Sequence, residues 1–150
     1  VDPTATFAVL GGLDPNPASL GRAELDRTVA AGDITYLGET RDVRPHLAAA
    51  HVLVLPSYRE GTPRSVLEAM SVGRAIITTD VPGCRETIVD GEQGLLVPPR
   101  DVPALTAAAL ALHRDRARLT HLGAAARRRA VALYDARAVA AHMLHVMQLT

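Results

Sequence analysis

Aliphatic residues in this chain fall in short runs closed by glycine or proline, and these runs alternate with stretches where apolar positions recur at helical spacing. The run Val-Leu-Val-Leu at 52–55 is followed by Pro56 and Ser57. Four consecutive aliphatic residues stopped by proline predict a strand buried on both faces of a parallel sheet. Residues 65–70, Ser-Val-Leu-Glu-Ala-Met, predict a helix, with Pro63 pre-set for its first turn and Gly73 as its stop. Further strands are predicted at 7–12, 34–37, 75–79 and 94–97. Helices are predicted at 19–31, where Ser19 is the N-cap after a Pro/Asn loop, and at 43–50, with a helical turn at 85–88. From Asp101 onward the pattern is wholly helical: 102–113, then 117–133 with Gly123 as a weak point, then 136–149. Strands alternating with helices imply an α/β fold. Its sheet is mainly parallel, of about five strands, with right-handed crossovers, flanking helices and a helical C-terminal tail.

Composition narrows the function classes. The 150 residues are an ordinary length for one domain with a buried core. Lys+Arg and Asp+Glu are equal at 16 each, so no basic field exists to attract nucleic acid or anionic lipid, and any anion site must be local. The single cysteine, Cys84, excludes an internal disulfide, fits a reducing compartment and reads as a small apolar filler. No apolar stretch approaches the roughly 20 residues that span a bilayer, and the opening residues carry no signal-peptide pattern. The expectation is a cytoplasmic protein. The abrupt opening without Met is expected to mark a piece of a longer chain.

Candidate chemistry concentrates around two glutamates eight positions apart, Glu60 and Glu68, which bracket a Gly-Thr-Pro-Arg-Ser turn. Glu60 falls in the loop at the carboxyl end of a predicted strand, and Glu68 about a turn and a half inside the next helix. Open α/β sheets bind ligands at that end. Each glutamate alone has a bland alternative as a solvated carboxylate or cap. Gly83 and Gly91 read equally as turn residues needing positive φ and as ligand contacts. Glu86 either caps and orients its turn or approaches a ligand. Arg85 reads as an exposed ion pair that could instead reach a phosphate, and the Ala/Arg-rich stretch 124–132 as a solvated helix face. His142 and His145, three apart on a helix, lack a carboxylate or Cys partner in sequence, so no metal site is expected.

The ordered series of these residues, over about 65 positions from Tyr36 to Asp101, resembles the carboxyl-terminal half of the retaining, glycogen-synthase-like group 1 glycosyltransferases. That family has the GT-B fold of two Rossmann-like domains. The residues that carry the resemblance are Pro56-Ser57, Glu60, Glu68-Ala69-Met70 and Gly73, followed by Thr79-Asp80, Pro82-Gly83-Cys84-Arg85-Glu86, Asp90-Gly91, Gly94-Leu95-Leu96-Val97 and Pro99-Arg100-Asp101. The resemblance implies that the whole chain, 1–150, is the donor-binding half of such an enzyme, inactive alone. The acceptor-binding amino-terminal domain, the first strand of this domain and two diphosphate-clamping cations are then expected to lie outside it.

By the same carry-over Glu60 is the catalytic-centre residue, holding hydroxyls of the transferred sugar, and Glu68 holds the ribose hydroxyls. Gly61, Thr62, Arg64, Ser65 and Glu86 are implied as further donor-binding positions, the amides of Arg64 and Ser65 facing the diphosphate. Thr40 and Arg41 fall in the family's base-recognition loop. The implied donor is a nucleotide-diphosphate sugar, with neither cofactor nor metal. Thr62-Pro63 departs from the Phe-Gly of many members, and Pro63 removes an amide N–H. The Thr-Pro-Arg-Ser version looks like transferases that build bacterial surface polysaccharides or glycolipids. The implied acceptor is a sugar or lipid-linked glycan met through the absent domain. Peripheral association of the longer protein with the inner face of the cell membrane, and strand exchange with another chain, stand as open expectations.

Competing readings are a non-catalytic nucleotide-sugar-binding module and a GT-B sugar epimerase. A dinucleotide-dependent oxidoreductase would need Gly-x-Gly-x-x-Gly after the first strand, and Gly11-Gly12-Leu13-Asp14-Pro15 does not supply it. In a sheet of order 3-2-1-4-5-6 the family's first strand would lie between 7–10 and 52–55. These two are therefore expected to close against each other, or to pair with a strand from another chain or from elsewhere in the same protein.

Overall fold

The structure is a computed structural model that describes residues 4–14 and 19–148. The Pro/Asn loop at 15–18 and Leu149 lie outside the described residues. The chain divides into two compact units, Val1–Val43 and Arg44–Thr150.

In the first unit β1 (Ala8–Val9) and β2 (Thr35–Tyr36) pair in parallel, Ala8 opposite Thr35 and Val9 opposite Tyr36. Bonds from Thr35 N to Phe7 O (2.8 Å), Leu37 N to Val9 O (2.9 Å) and Gly11 N to Gly38 O (2.8 Å) lengthen the ladder at both ends. The Tyr36 hydroxyl donates to Gly11 O at 2.8 Å, tying the turn after β1 to β2. The crossover helix α1 (Arg22–Ala30) buries Leu25. Its N-cap is Gly21 and not Ser19, because the Gly21 carbonyl is the one that accepts from Glu24 N and Leu25 N, so the helix begins two residues later than the serine suggests.

The second unit runs α2 (Arg44–Ala49), β3 (Val52–Leu55), α3 (Arg64–Ser71), β4 (Ala75–Thr79), β5 (Gly94–Val97), α4 (Val102–Arg114), α5 (Arg116–Tyr134) and α6 (Ala136–Val146). Its sheet has the order β3-β4-β5, all parallel. The central β4, Ala-Ile-Ile-Thr-Thr, is buried at every position, as a strand flanked on both edges and covered on both faces must be. β3 departs from the expectation of full burial: it is an edge of this sheet, half-buried, with Val54 39% exposed. The described strands form two sheets, and no ladder joins β1 to β3. The hydrogen bonds of β1 go to β2 and those of β3 to β4.

Ala75, Ile77 and Val97 of the sheet pack with Ala108 and Leu112 of α4 and Leu122 of α5, forming one core layer. The boundaries of α4 and α5 follow from capping aspartates. Asp101 Oδ1 accepts from Ala104 N (2.8 Å) and Asp115 Oδ1 from Arg118 N (2.9 Å). Gly123 does not interrupt α5. It is buried where the helix crosses the α3–β4 connection, and a Cβ there would overlap the Gly73 carbonyl, so the glycine serves close packing. Gly73, at φ 72°, ends α3 in the left-handed conformation expected of it, and Pro63 is the N-cap of α3, one residue outside the first turn.

Candidate active site

The loop 56–63 and the start of α3 carry most of the sequence-identified residues. β3 ends at Leu55, and two hydroxyls at the end of β4 fasten the strand's exit. Thr78 Oγ1 donates to Leu55 O at 2.8 Å, and Thr79 Oγ1 donates to Ser57 O. Both threonines are almost fully buried, 0% and 1% exposed, so these bonds are shielded from water. The Ser57 hydroxyl in turn donates to Glu60 Oε1 at 2.7 Å, which sets the direction of that half-buried carboxylate. Gly61 and Thr62 are exposed, and Pro63 is buried.

The Pro63 carbonyl accepts from Val66 N (3.1 Å) and Leu67 N (3.3 Å), so the amides of Arg64 and Ser65 belong to the first turn of α3, where no earlier helical carbonyl exists to receive them. The positive end of the helix dipole lies there. Glu68 is on α3 one turn after Arg64. Its Oε1 lies 3.4 Å from Arg64 Nη2, with side chains 39% and 90% exposed respectively, so the pair is solvent-screened and weak.

Glu86 belongs to the turned segment 82–87 between β4 and β5. Its Oε2 accepts from Gly83 N at 2.6 Å, so the carboxylate closes its own turn. Gly83, at φ 87°, rests directly on the backbone of Glu60 and Gly61; a Cβ there would sit 2.7 Å from the Glu60 carbonyl carbon and closer still to both carbonyl oxygens. This contact joins the two segments that the sequence singled out separately. Arg85 forms an exposed ion pair with Asp80, Nε to Oδ1 at 2.9 Å, and also donates to the Asp80 carbonyl. Cys84 is free and buried. Gly91, at φ 78°, donates to Gly94 O at 2.8 Å in the turn that opens β5.

Thr40 and Arg41 lie in the first unit, just after β2. Thr40 Oγ1 donates to Asp42 O (3.2 Å) and accepts from Asp42 N (3.1 Å), while Arg41 is exposed. His142 and His145 are exposed on α6, and no group of three His, Cys, Asp or Glu suited to a metal occurs among the described residues. A cleft of about 560 Å³ lined by Gly91, Gln93, His121, Arg128 and Arg129 includes Gly91 but neither glutamate nor any of the implied donor-binding residues. None of the helices among the described residues is long and apolar enough to cross a membrane. Sequence reasoning missed the hydroxyl roles of Ser57, Thr78 and Thr79. Their only trace was the placement of hydroxyl residues at two neighbouring strand ends.

The chain is 41% identical over 91 residues to N,N'-diacetylbacillosaminyl-diphospho-undecaprenol alpha-1,3-N-acetylgalactosaminyltransferase of Campylobacter jejuni, covering 61% of this chain and 23% of that one. Among solved structures, sucrose-phosphate synthase from Thermosynechococcus elongatus superposes with a TM-score of 0.84 at 31% identity, over 95% of this chain and 37% of the synthase. HepE of Anabaena in complex with UDP-glucose shares the fold, with a TM-score of 0.85 at 19% identity over 99% of this chain and 42% of its own. The chain thus spans well under half the length of each. The family described as Glycosyl transferases group 1 matches residues 2–115, a span that contains both glutamates, the α3 helix start and the Gly83 turn. By that match this chain belongs to the group 1 glycosyl transferases.

Proposed function

We propose that the chain is the donor-binding part of a retaining glycosyltransferase that moves a sugar from a nucleotide-diphosphate sugar to an acceptor in bacterial surface polysaccharide or glycolipid assembly. The observation that carries this reading is the pair of carboxylates on either side of one helix start. Glu60 is held by Ser57 in the loop before α3, and Glu68 stands accessible on α3 itself. An ionised carboxylate accepts paired hydroxyl donors through charge-assisted bonds, stronger than neutral ones. Glu68 would take the ribose hydroxyls, releasing Arg64, and Glu60 the hydroxyls of the transferred sugar. The amides of Arg64 and Ser65 would meet the diphosphate between them and stabilise the charge that builds on the leaving group, without a metal ion. Gly61 and Thr62 would line the sugar, and Glu86 would hold the Gly83 turn beneath it. The names of the Campylobacter relative and of the HepE complex, a lipid-linked diphosphate acceptor in one and UDP-glucose in the other, support this substrate class.

Calorimetry against UDP, GDP and ADP and their sugar conjugates tests the reading. Glu68→Gln is expected to weaken nucleoside diphosphate binding by about 1–3 kcal/mol, the range for a hydrogen bond to a charged group. Glu60→Gln is expected to leave the diphosphate affinity unchanged and to remove the increment due to the sugar. Absence of binding to every member at millimolar concentration by the folded chain overturns the proposal, and the reverse pattern between the two variants exchanges their roles.

A further inference from the structure

We propose that Ser57 is a positioning residue for Glu60, with the Gly83 turn as its backbone counterpart, so that the sugar-facing carboxylate is oriented before the ligand arrives. This rests on the donor-binding reading above. The Ser57 hydroxyl takes one lone pair of Glu60 Oε1 at 2.7 Å, which leaves the rest of the carboxylate's acceptor capacity available to sugar hydroxyls. Ser57 itself cannot drift, since its carbonyl is bound by Thr79 Oγ1, and Thr79 is 1% exposed at the end of the central strand. Thr78 binds the carbonyl of Leu55 two residues earlier, so the exit of β3 is stapled to β4 at alternate residues.

The main chain of Glu60 is restrained from the opposite segment. Gly83 abuts the Glu60 and Gly61 carbonyls at a distance that no side chain would permit. The turn that presents Gly83 is rigid in its own right. Cys84 N and Arg85 N donate to Val81 O (3.2 and 3.0 Å), the buried Thr87 hydroxyl donates to Cys84 O (2.6 Å), and Glu86 takes Gly83 N. Glu60 is therefore fixed at the carboxylate by one neighbour and at the peptide by another. A free glutamate side chain loses several rotamers when it binds, and a pre-oriented one does not, so the contact raises affinity for the sugar without touching it.

The test measures, on the 150-residue chain, affinities for four matched pairs: UDP and UDP-glucose, UDP and UDP-N-acetylglucosamine, GDP and GDP-mannose, ADP and ADP-glucose. The pair with the tightest binding to the parent chain gives a sugar increment, the ratio of the two affinities. Ser57→Ala is expected to lower that increment by about two- to tenfold, the cost of ordering roughly one rotamer-rich side chain on binding, with the diphosphate affinity unchanged. Ser57→Thr, which keeps the hydroxyl, is expected to restore it, an outcome that a general loosening of the loop would not give. Thermal unfolding of both variants within a few degrees of the parent establishes that the fold is kept. An increment in Ser57→Ala equal to that of the parent overturns the positioning role while leaving the donor site intact, as does failure of Ser57→Thr to restore it. Absence of binding by the parent chain to all four pairs overturns the donor site and the positioning role with it.

Discussion

Replacing Gly123 by alanine sets two effects of opposite sign against each other. In an exposed helix interior the change is stabilising by about 1 kcal/mol, because glycine is that much poorer a helix former. In α5 the added Cβ would lie 3.2 Å from the Gly73 carbonyl carbon, inside normal contact with the oxygen, and 3.5 Å from Ala75 N. The obstacle is backbone, so no rotamer change relieves it. Nor is that backbone free to yield: Gly73 N is bound to Met70 O (2.9 Å) and Arg74 N to Ala69 O (3.0 Å), and Ala75 begins the buried central strand. Overpacking of this kind costs about 1–3 kcal/mol, and a rigid obstacle places it in the upper half of the range. The helix gain offsets part of this, and the net expectation is a destabilisation of about 1–2 kcal/mol. Urea unfolding followed by circular dichroism at the helix band is the assay, and with a slope of about 1–3 kcal/mol/M the midpoint should fall by roughly 0.3–2 M. Ala124→Gly, at the exposed neighbouring position, is the control and should cost about 1 kcal/mol through propensity alone. A Gly123→Ala protein as stable as the parent, or more so, beside a normally behaving control, would show that the α3–α5 contact yields and that the packing argument fails.

Two further substitutions probe the scaffold. Gly94→Ala should be more damaging than Gly123→Ala, because its Cβ would fall 2.7 Å from the Ile76 carbonyl carbon, directly in the β4–β5 ladder; loss of the cooperative unfolding transition is the expected readout, and a parent-like midpoint would contradict it. Asp101→Ala removes the oxygen that accepts from Ala104 N and should cost about 1 kcal/mol by the same urea assay, whereas Asp101→Asn should cost less than half of that, since asparagine caps comparably.

The element order and the placement of the two glutamates were readable from local pattern. Val52–Leu55, Ala75–Thr79 and Gly94–Val97 are short aliphatic runs bounded by Pro, Gly or Asp, and a run so marked can be little other than a strand. The helical spacing from 102 onward announced α4, and Asp101 caps it through the neighbouring amide of Ala104. Glu60 and Glu68 were placed correctly on loop and helix for the same reason: spacing along the chain decides it. What depends on partners distant in sequence was not readable. The edge position and half-exposure of Val52–Leu55 follow from which strands sit beside it, and pairing is not encoded in the run itself. Gly123 looked like a helix weakness, since local propensity knows nothing of the Gly73 carbonyl that presses on it from 50 residues away. The support of Glu60 by Ser57, Thr79 and Gly83 likewise exists only once β3 and β4 lie side by side, because hydrogen bonds and close contacts are set by distance in space.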